Sequence, residues 1–117
     1  MSGSMAYHGG LAAEGSVAAD YLRRGFDLVA RRWRGSGGEI DLILQDGDVL
    51  VFVEVKKSKS FAQALERVSE RQIARIFATA TEYLAGAPSG QDTDTRFDIA
   101  LVEASGRIQV MENALGP

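Results

Sequence analysis

Residues 37–57 read Gly37-Gly38-Glu39-Ile40-Asp41-Leu42-Ile43-Leu44-Gln45-Asp46-Gly47-Asp48-Val49-Leu50-Val51-Phe52-Val53-Glu54-Val55-Lys56-Lys57. Two apolar runs, Ile40 to Leu44 and Val49 to Val55, flank an Asp46-Gly47 pair. Asp-Gly between such runs signals a β-hairpin, because a type I′ turn needs positive φ at both central residues. Charges interrupt the runs at Asp41, Glu54 and Lys56. An ionised carboxylate in an apolar strand is costly unless it is paired or binds a metal. Such a conflict between pattern and residue type is where function is expected.

With Asp46 and Gly47 as the central turn residues, Leu44 faces Val49 and Asp41 faces Phe52. Opposed residues share a face and side chains alternate along each strand. Asp41 then lies on the face of Phe52, Glu54 and Lys56, with Glu54 its diagonal neighbour at roughly 7–8 Å between backbones. Two carboxylates so placed could grip one divalent cation, with Lys56 beside them. A three-residue turn would move Asp41 to the other face.

The whole chain has 117 residues, which suits one domain with a single core. A mean hydropathy of −0.08 is that of an ordinary globular protein. No apolar run approaches the roughly 20 residues of a membrane span, and no basic-then-apolar leader opens the chain. The absence of cysteine removes disulfides, thiolate metal sites and cysteine nucleophiles, and fits a cytoplasmic protein. A single histidine, His8, excludes a multi-histidine metal site. The formal charge of −3 argues against a nucleic-acid partner until its distribution is considered. Residues 21–75 carry 11 basic and 8 acidic side chains, a net +3, and the remainder carries 2 and 8, a net −6. Several of the acids in the positive segment are the candidate metal ligands, so a local basic surface is compatible with an acidic chain.

Residues 1–10 read as a disordered N-terminus or a cloning scar, with His8 solvated, and residues 11–117 as one domain. Leu11 to Arg24 reads as a helix closed by Gly25, with Leu11, Ala18, Tyr21 and Leu22 on its apolar stripe. Glu14 falls at the edge of that stripe, and spacing alone makes it a solvated flank residue. Phe26 to Trp33 reads as a strand. Arg31, Arg32 and Arg34 around Trp33 form a basic cluster that could meet phosphates and stack on a base, although Trp33 packed inward is an equal reading. After the hairpin, Lys57 and Lys59 lead into one long helix from about Phe61 to Leu84, on which Arg67, Arg71 and Arg75 recur every four residues. Such a ridge is ordinarily a solvated face, with phosphate contact the alternative. Arg96 to Glu103 and Arg107 to Met111 read as two further strands. Asp98, inside the first of them, reads as a hydrogen-bonded structural carboxylate. The crossover through the long helix allows a parallel neighbour, so the expected fold is a three-layer α/β sandwich: a mixed sheet with helices on both faces.

With no cysteine and no histidine in the core, acid–base work falls to carboxylates, lysine or metal-bound water. Asp41 and Glu54 suit Mg²⁺ or Mn²⁺, which prefer carboxylate oxygen. The cation would polarise a phosphodiester and acidify a water, with Lys56 orienting that water or steadying developing charge. Residue chemistry alone leaves a buried ion-pair network as an equal rival.

At these residues the sequence resembles the YraN family, within the PD-(D/E)xK, restriction-endonuclease-like superfamily that includes Holliday junction resolvases. The resemblance rests on Gly38-Glu39-Ile40-Asp41-Leu42-Ile43 followed by Val51-Phe52-Val53-Glu54-Val55-Lys56, and runs from Gly10 to about Leu115. It implies an αβββαβ core, Asp41 and Glu54 as metal ligands, Lys56 as catalytic lysine and a catalytic role for Glu14. Glu39 matches the motif as well. Ser58 stands where the family commonly has arginine, and Gln72 where relatives often have lysine, differences that bear on substrate contacts and rate. The implied activity is metal-dependent DNA endonuclease, with branched and single-stranded DNA as candidate substrates and a homodimer suited to junction cutting. Arg31, Arg32, Arg34, Lys57, Lys59, Arg71 and Arg75 are the candidate DNA contacts. A non-catalytic nucleic-acid-binding or scaffold module on the same fold is the alternative, as is an interaction protein whose buried charges only fix the fold.

Overall fold

The structure is a computed structural model that describes residues 2–115, with side chains from residue 10 onward. The expectation for the His8 side chain falls outside the described side chains, whereas the backbone from residue 2 is helical rather than disordered, so the first helix begins earlier than Leu11. Helix α1 (Ser2–Arg23) precedes strands β1 (Asp27–Arg34), β2 (Glu39–Asp46) and β3 (Val49–Ser58). Helices α2 (Phe61–Glu66) and α3 (Glu70–Leu84) then cross to β4 (Thr95–Glu103) and β5 (Ile108–Met111). The five strands form one sheet in chain order, antiparallel except for the β3–β4 pair. Two-sided burial explains why β2, β3 and β4 are nearly continuous apolar runs: both faces of the central strands are covered.

One face packs under α1, where Ala13, Val17, Ala18 and Tyr21 meet Leu42, Leu44, Val51, Val53, Ala100 and Val102. Leu22, expected on that stripe, is 46% exposed, and the small residues Ala13 and Ala18 make the close contact instead. The opposite face carries Ile43, Leu50 and Phe52 against Ala80 and Leu84 of α3, and Ile99 and Leu101 against Ala64 of α2. The sandwich is therefore the mixed three-layer α/β arrangement that the sequence leads one to expect. Among the described residues, no helix is long and apolar enough to cross a membrane.

Two local expectations are corrected. The helix expected over Phe61 to Leu84 is two helices, because Ser69 caps α3 through a hydrogen bond its Oγ accepts from the Gln72 N–H (3.1 Å). Ser60 caps α2 in the same way through Gln63 (3.2 Å). The signal was in the sequence as Ser69 followed three residues later by Gln72, a capping-box pattern. Arg67 therefore leaves the ridge of Arg71 and Arg75 and donates to the Lys57 carbonyl instead (2.8 Å).

The hairpin turn is also displaced by one residue. Asp46 pairs with Val49, so Gly47 and Asp48 are the central residues. Gly47 has φ of 60° and Asp48 is not among the positive-φ residues, the pattern of a type II′ turn, which needs glycine only at its first central position. Every partner moves by two, which preserves the face. Continued past Leu42↔Val53, this register sets Asp41 directly opposite Glu54 rather than diagonal to it.

Asp98 is a structural carboxylate, fully buried. It accepts hydrogen bonds from the Tyr21 hydroxyl (2.7 Å), both the Nε and an Nη of Arg96 (2.9 Å each) and the Asn113 backbone N–H (2.8 Å). It thereby ties α1, β4 and the C-terminal segment together. Asp98→Ala strands the Arg96 guanidinium and the Tyr21 hydroxyl, and is expected to cost about 3–5 kcal/mol in urea unfolding. A loss below about 1 kcal/mol would contradict this role for the network.

Candidate functional site

The β2–β3 ladder stops at Leu42↔Val53, whereas β1 stays paired with β2 as far as Glu39. At the point of separation the Asp41 carboxylate, not a backbone carbonyl, accepts the Val55 N–H at 2.8 Å. The side chain thus fills a rung that the diverging backbones vacate, which satisfies a donor that would otherwise be orphaned. Glu54, one residue before Val55, comes to lie beside Asp41.

The face alternation slips in the same row. Leu42 and Leu44 pack under α1 and Ile43 under α3, as a regular strand requires, but Ile40 packs with Ile43. On β1, Trp33 joins Ala30 on the α3 side although the two are three positions apart. Between Arg31↔Leu42 and Trp33↔Ile40, the residues left opposite one another are Arg32 and Asp41. Arg32 absorbs the slip with φ of 50°. A left-handed conformation at a non-glycine residue costs roughly 1–3 kcal/mol and persists only where its surroundings hold it. Those surroundings are identifiable. Trp33 meets Tyr83 edge-to-face, with ring centroids 5.2 Å apart. The Ser36 N–H and hydroxyl both donate to Glu82 of α3, at 2.9 and 3.1 Å. Gly38 lies so close to α3 that an added Cβ would stand 3.0 Å from Thr79 Oγ1.

The slip turns Arg32 towards α1, where its Nε donates to both carboxylate oxygens of Glu14 at 3.0 Å. Glu14 is 7% exposed, so the solvated reading drawn from spacing alone does not hold. Burial raises the Glu14 carboxyl above its ordinary range; the bond from Arg32 works against that rise, and the Asp41 charge adds to it. Glu54 is equally buried. Desolvation, then the adjacent Asp41 carboxylate, push its carboxyl up to about 9, with Lys56 pulling the other way. Lys56 Nζ lies 3.7 Å from Glu54 Oε1.

Glu14, Arg32, Asp41, Glu54, Val55, Lys56 and Lys57 line one cavity of about 220 Å³, closed on the α1 side by Gly10 and Ala13. The four expected catalytic residues are thus together. Among the described residues no three acidic side chains form a ready cation cage, and Glu14 is committed to Arg32. Of the expected DNA contacts, Lys57 lines the cavity, and Arg75 lies 3.7 Å from the Cβ position of Gly38, with exposed Arg71 one turn before it. Arg31 and Arg34 are exposed on the edge strand, Arg34 bonding Glu39 at 3.1 Å, and Lys59 is exposed beyond β3. Trp33 is turned inward. Ser58 donates its hydroxyl to Gln63 (3.3 Å). Sequence reasoning missed the Arg32–Glu14 pair. The one available signal was Trp33, a large apolar residue out of step with Leu28 and Ala30 on its strand; Ile40 keeps the parity of Leu42 and Leu44, and its change of face shows only in the structure.

Profile comparison matches residues 13–102 to the family described as "Uncharacterised protein family UPF0102". A UPF0102 protein of Roseobacter denitrificans is 55% identical over 114 residues, covering 97% of this chain and 88% of that protein. One from Cereibacter sphaeroides is 54% identical, covering 97% of each, and one from Ruegeria pomeroyi is 57% identical over 107 residues, covering 92% and 87%.

The raised Glu54 carboxyl fixes a sign for pH dependence. Its folded pKa lies near 9 against an ordinary 4.5, so its contribution to stability is complete at acid pH and is lost as pH rises through that window. In metal-free buffer the thermal midpoint of the wild type should fall relative to that of Glu54→Gln as pH rises from about 5 to 9. Parallel curves would contradict the assignment.

Proposed function

The chain belongs to the UPF0102 family, and we propose that it is a divalent-metal-dependent endonuclease acting on DNA. One observation carries the reading: Asp41 and Glu54 stand side by side, with Lys56 Nζ 3.7 Å from Glu54, where β2 and β3 part. The resemblance to the YraN family and the PD-(D/E)xK superfamily supports the same assignment, and both of its sequence boxes lie inside the matched residues 13–102.

The donor chemistry fits Mg²⁺ or Mn²⁺. Two neighbouring carboxylates, with the Glu54 carboxyl raised first by burial and then by its neighbour, form a site where a hard cation can displace a proton and bind oxygen. Asp41 and Glu54 would hold it. When bound, such a cation supplies charge that polarises a phosphodiester and lowers the pKa of an attacking water.

The chain's own residues supply the rest. Lys56, with its side chain 18% exposed, would steady the charge that develops on the phosphate from a site with little water to screen it. The Val55 N–H holds Asp41 in one orientation. Lys57, Arg71, Arg75, Arg31, Arg34 and Lys59 would meet backbone phosphates, a local basic set that is compatible with a net charge of −3 over the chain. Cytoplasmic location belongs to the same proposal.

The test is cleavage of linear duplex, single-stranded and four-way DNA with Mn²⁺, alongside calorimetric Mn²⁺ titration. Asp41→Ala and Glu54→Ala should abolish both binding and cleavage. Lys56→Ala should keep the metal and lose at least about 100-fold in rate. The reading fails if no substrate is cut and Asp41→Ala binds DNA as the wild type does.

A further inference from the structure

Glu14 is a buried carboxylate on the wall of the candidate centre, and both of its oxygens accept the one Nε–H of Arg32 at 3.0 Å, which orients the carboxylate towards Arg32. Arg32 in turn adopts φ of 50°, a conformation that arginine disfavours, in the row where the strand phase slips. Arg32 is therefore fixed by the fold rather than by its own preference, and its position directs it at Glu14. Its side chain remains one-third exposed whereas that of Glu14 is 9% exposed, so the guanidinium is the member of the pair that a ligand can reach.

We propose that Arg32 is a positioning residue that keeps Glu14 from the cation site in the free protein and exchanges it for a backbone phosphate when DNA binds. The inference rests on the nuclease reading above and adds an order of events to it. A guanidinium binds carboxylate and phosphate through the same N–H donors, so the exchange replaces one charge-assisted contact by another. The Glu14 carboxylate released by it sits in the cavity that Asp41 and Glu54 line, and gives a cation there a third anionic neighbour. Cation affinity rises with the number of charged oxygen ligands. DNA and cation would then reinforce one another's binding, by linkage.

The proposal makes two effects of one substitution run in opposite directions. Arg32→Asn removes the guanidinium and supplies a side chain that tolerates positive φ. It should tighten Mn²⁺ binding about tenfold in DNA-free calorimetry. It should also weaken DNA binding in metal-free buffer and lower the slope of log affinity against log salt by about 0.9. Adding Glu14→Gln to Arg32→Asn should reverse the Mn²⁺ gain, and Glu14→Gln should cost much less affinity in the wild type than in that background. A purely structural Arg32 would weaken both ligands together. The inference is overturned if Arg32→Asn leaves Mn²⁺ affinity unchanged or lowered while wild-type binding still depends on Asp41, and also if the gain survives Glu14→Gln. Absence of Asp41-dependent Mn²⁺ binding in both proteins overturns the inference and the nuclease reading together. Where Arg32→Asn does not fold, Arg32→Gly takes its place, glycine being at ease at this φ.

Discussion

The hydrogen bond from the Val55 N–H to the Asp41 carboxylate is the contact on which the rest of the candidate centre depends. Two antiparallel strands that separate must leave backbone donors unpaired, and a buried unpaired N–H is costly. A side chain fills the vacated rung here. That solution places a carboxylate between two strands inside a largely apolar sheet, next to the carboxyl of Glu54. Burial first, and the neighbouring Asp41 carboxylate second, raise the Glu54 pKa, and Lys56 partly offsets the rise.

The separation also has consequences across the sheet. For β2 to leave β3 while staying paired with β1, both β1 and β2 change face phase in the row of Arg32 and Asp41. Trp33 and Ile40 then move to the α3 side, where Tyr83 packs on the tryptophan and α3 anchors the 35–38 loop through Glu82. Arg32 carries the strain and meets Glu14 on the opposite helix layer. The helices on the two faces thus have different tasks. α1 supplies the Glu14 carboxylate, and α3 holds the strand ends in the conformation that brings Arg32 against it.

Much of this was legible in the sequence. Apolar runs broken by Asp41, Glu54 and Lys56 marked three residues that the structure brings to one cavity, and the Asp-Gly hairpin signal placed them on one face even though the turn lies one residue further on. The face survived because the displacement changes the pairing by two, and side chains repeat with period two. Asp98 could be read as structural because a lone acid in an apolar strand needs partners, and Tyr21, Arg96 and the Asn113 N–H provide them. Other features were not legible from spacing. The break between α2 and α3 depends on Ser69 competing locally with an otherwise unbroken helical periodicity. The burial of Glu14 depends on Arg32, a partner 18 residues away whose direction is set by a phase slip rather than by alternation. Strand-period rules assume that regularity, and they fail where the sheet is opened to build a site.

The claim at the centre of this account is that the Asp41–Glu54 pair is a cation site whose proton stands in for the metal. Anomalous diffraction from crystals grown with Mn²⁺ tests it most directly. The expected result is a peak bonded to carboxylate oxygens of both Asp41 and Glu54. A map with no peak at that pair in the presence of Mn²⁺ would contradict it.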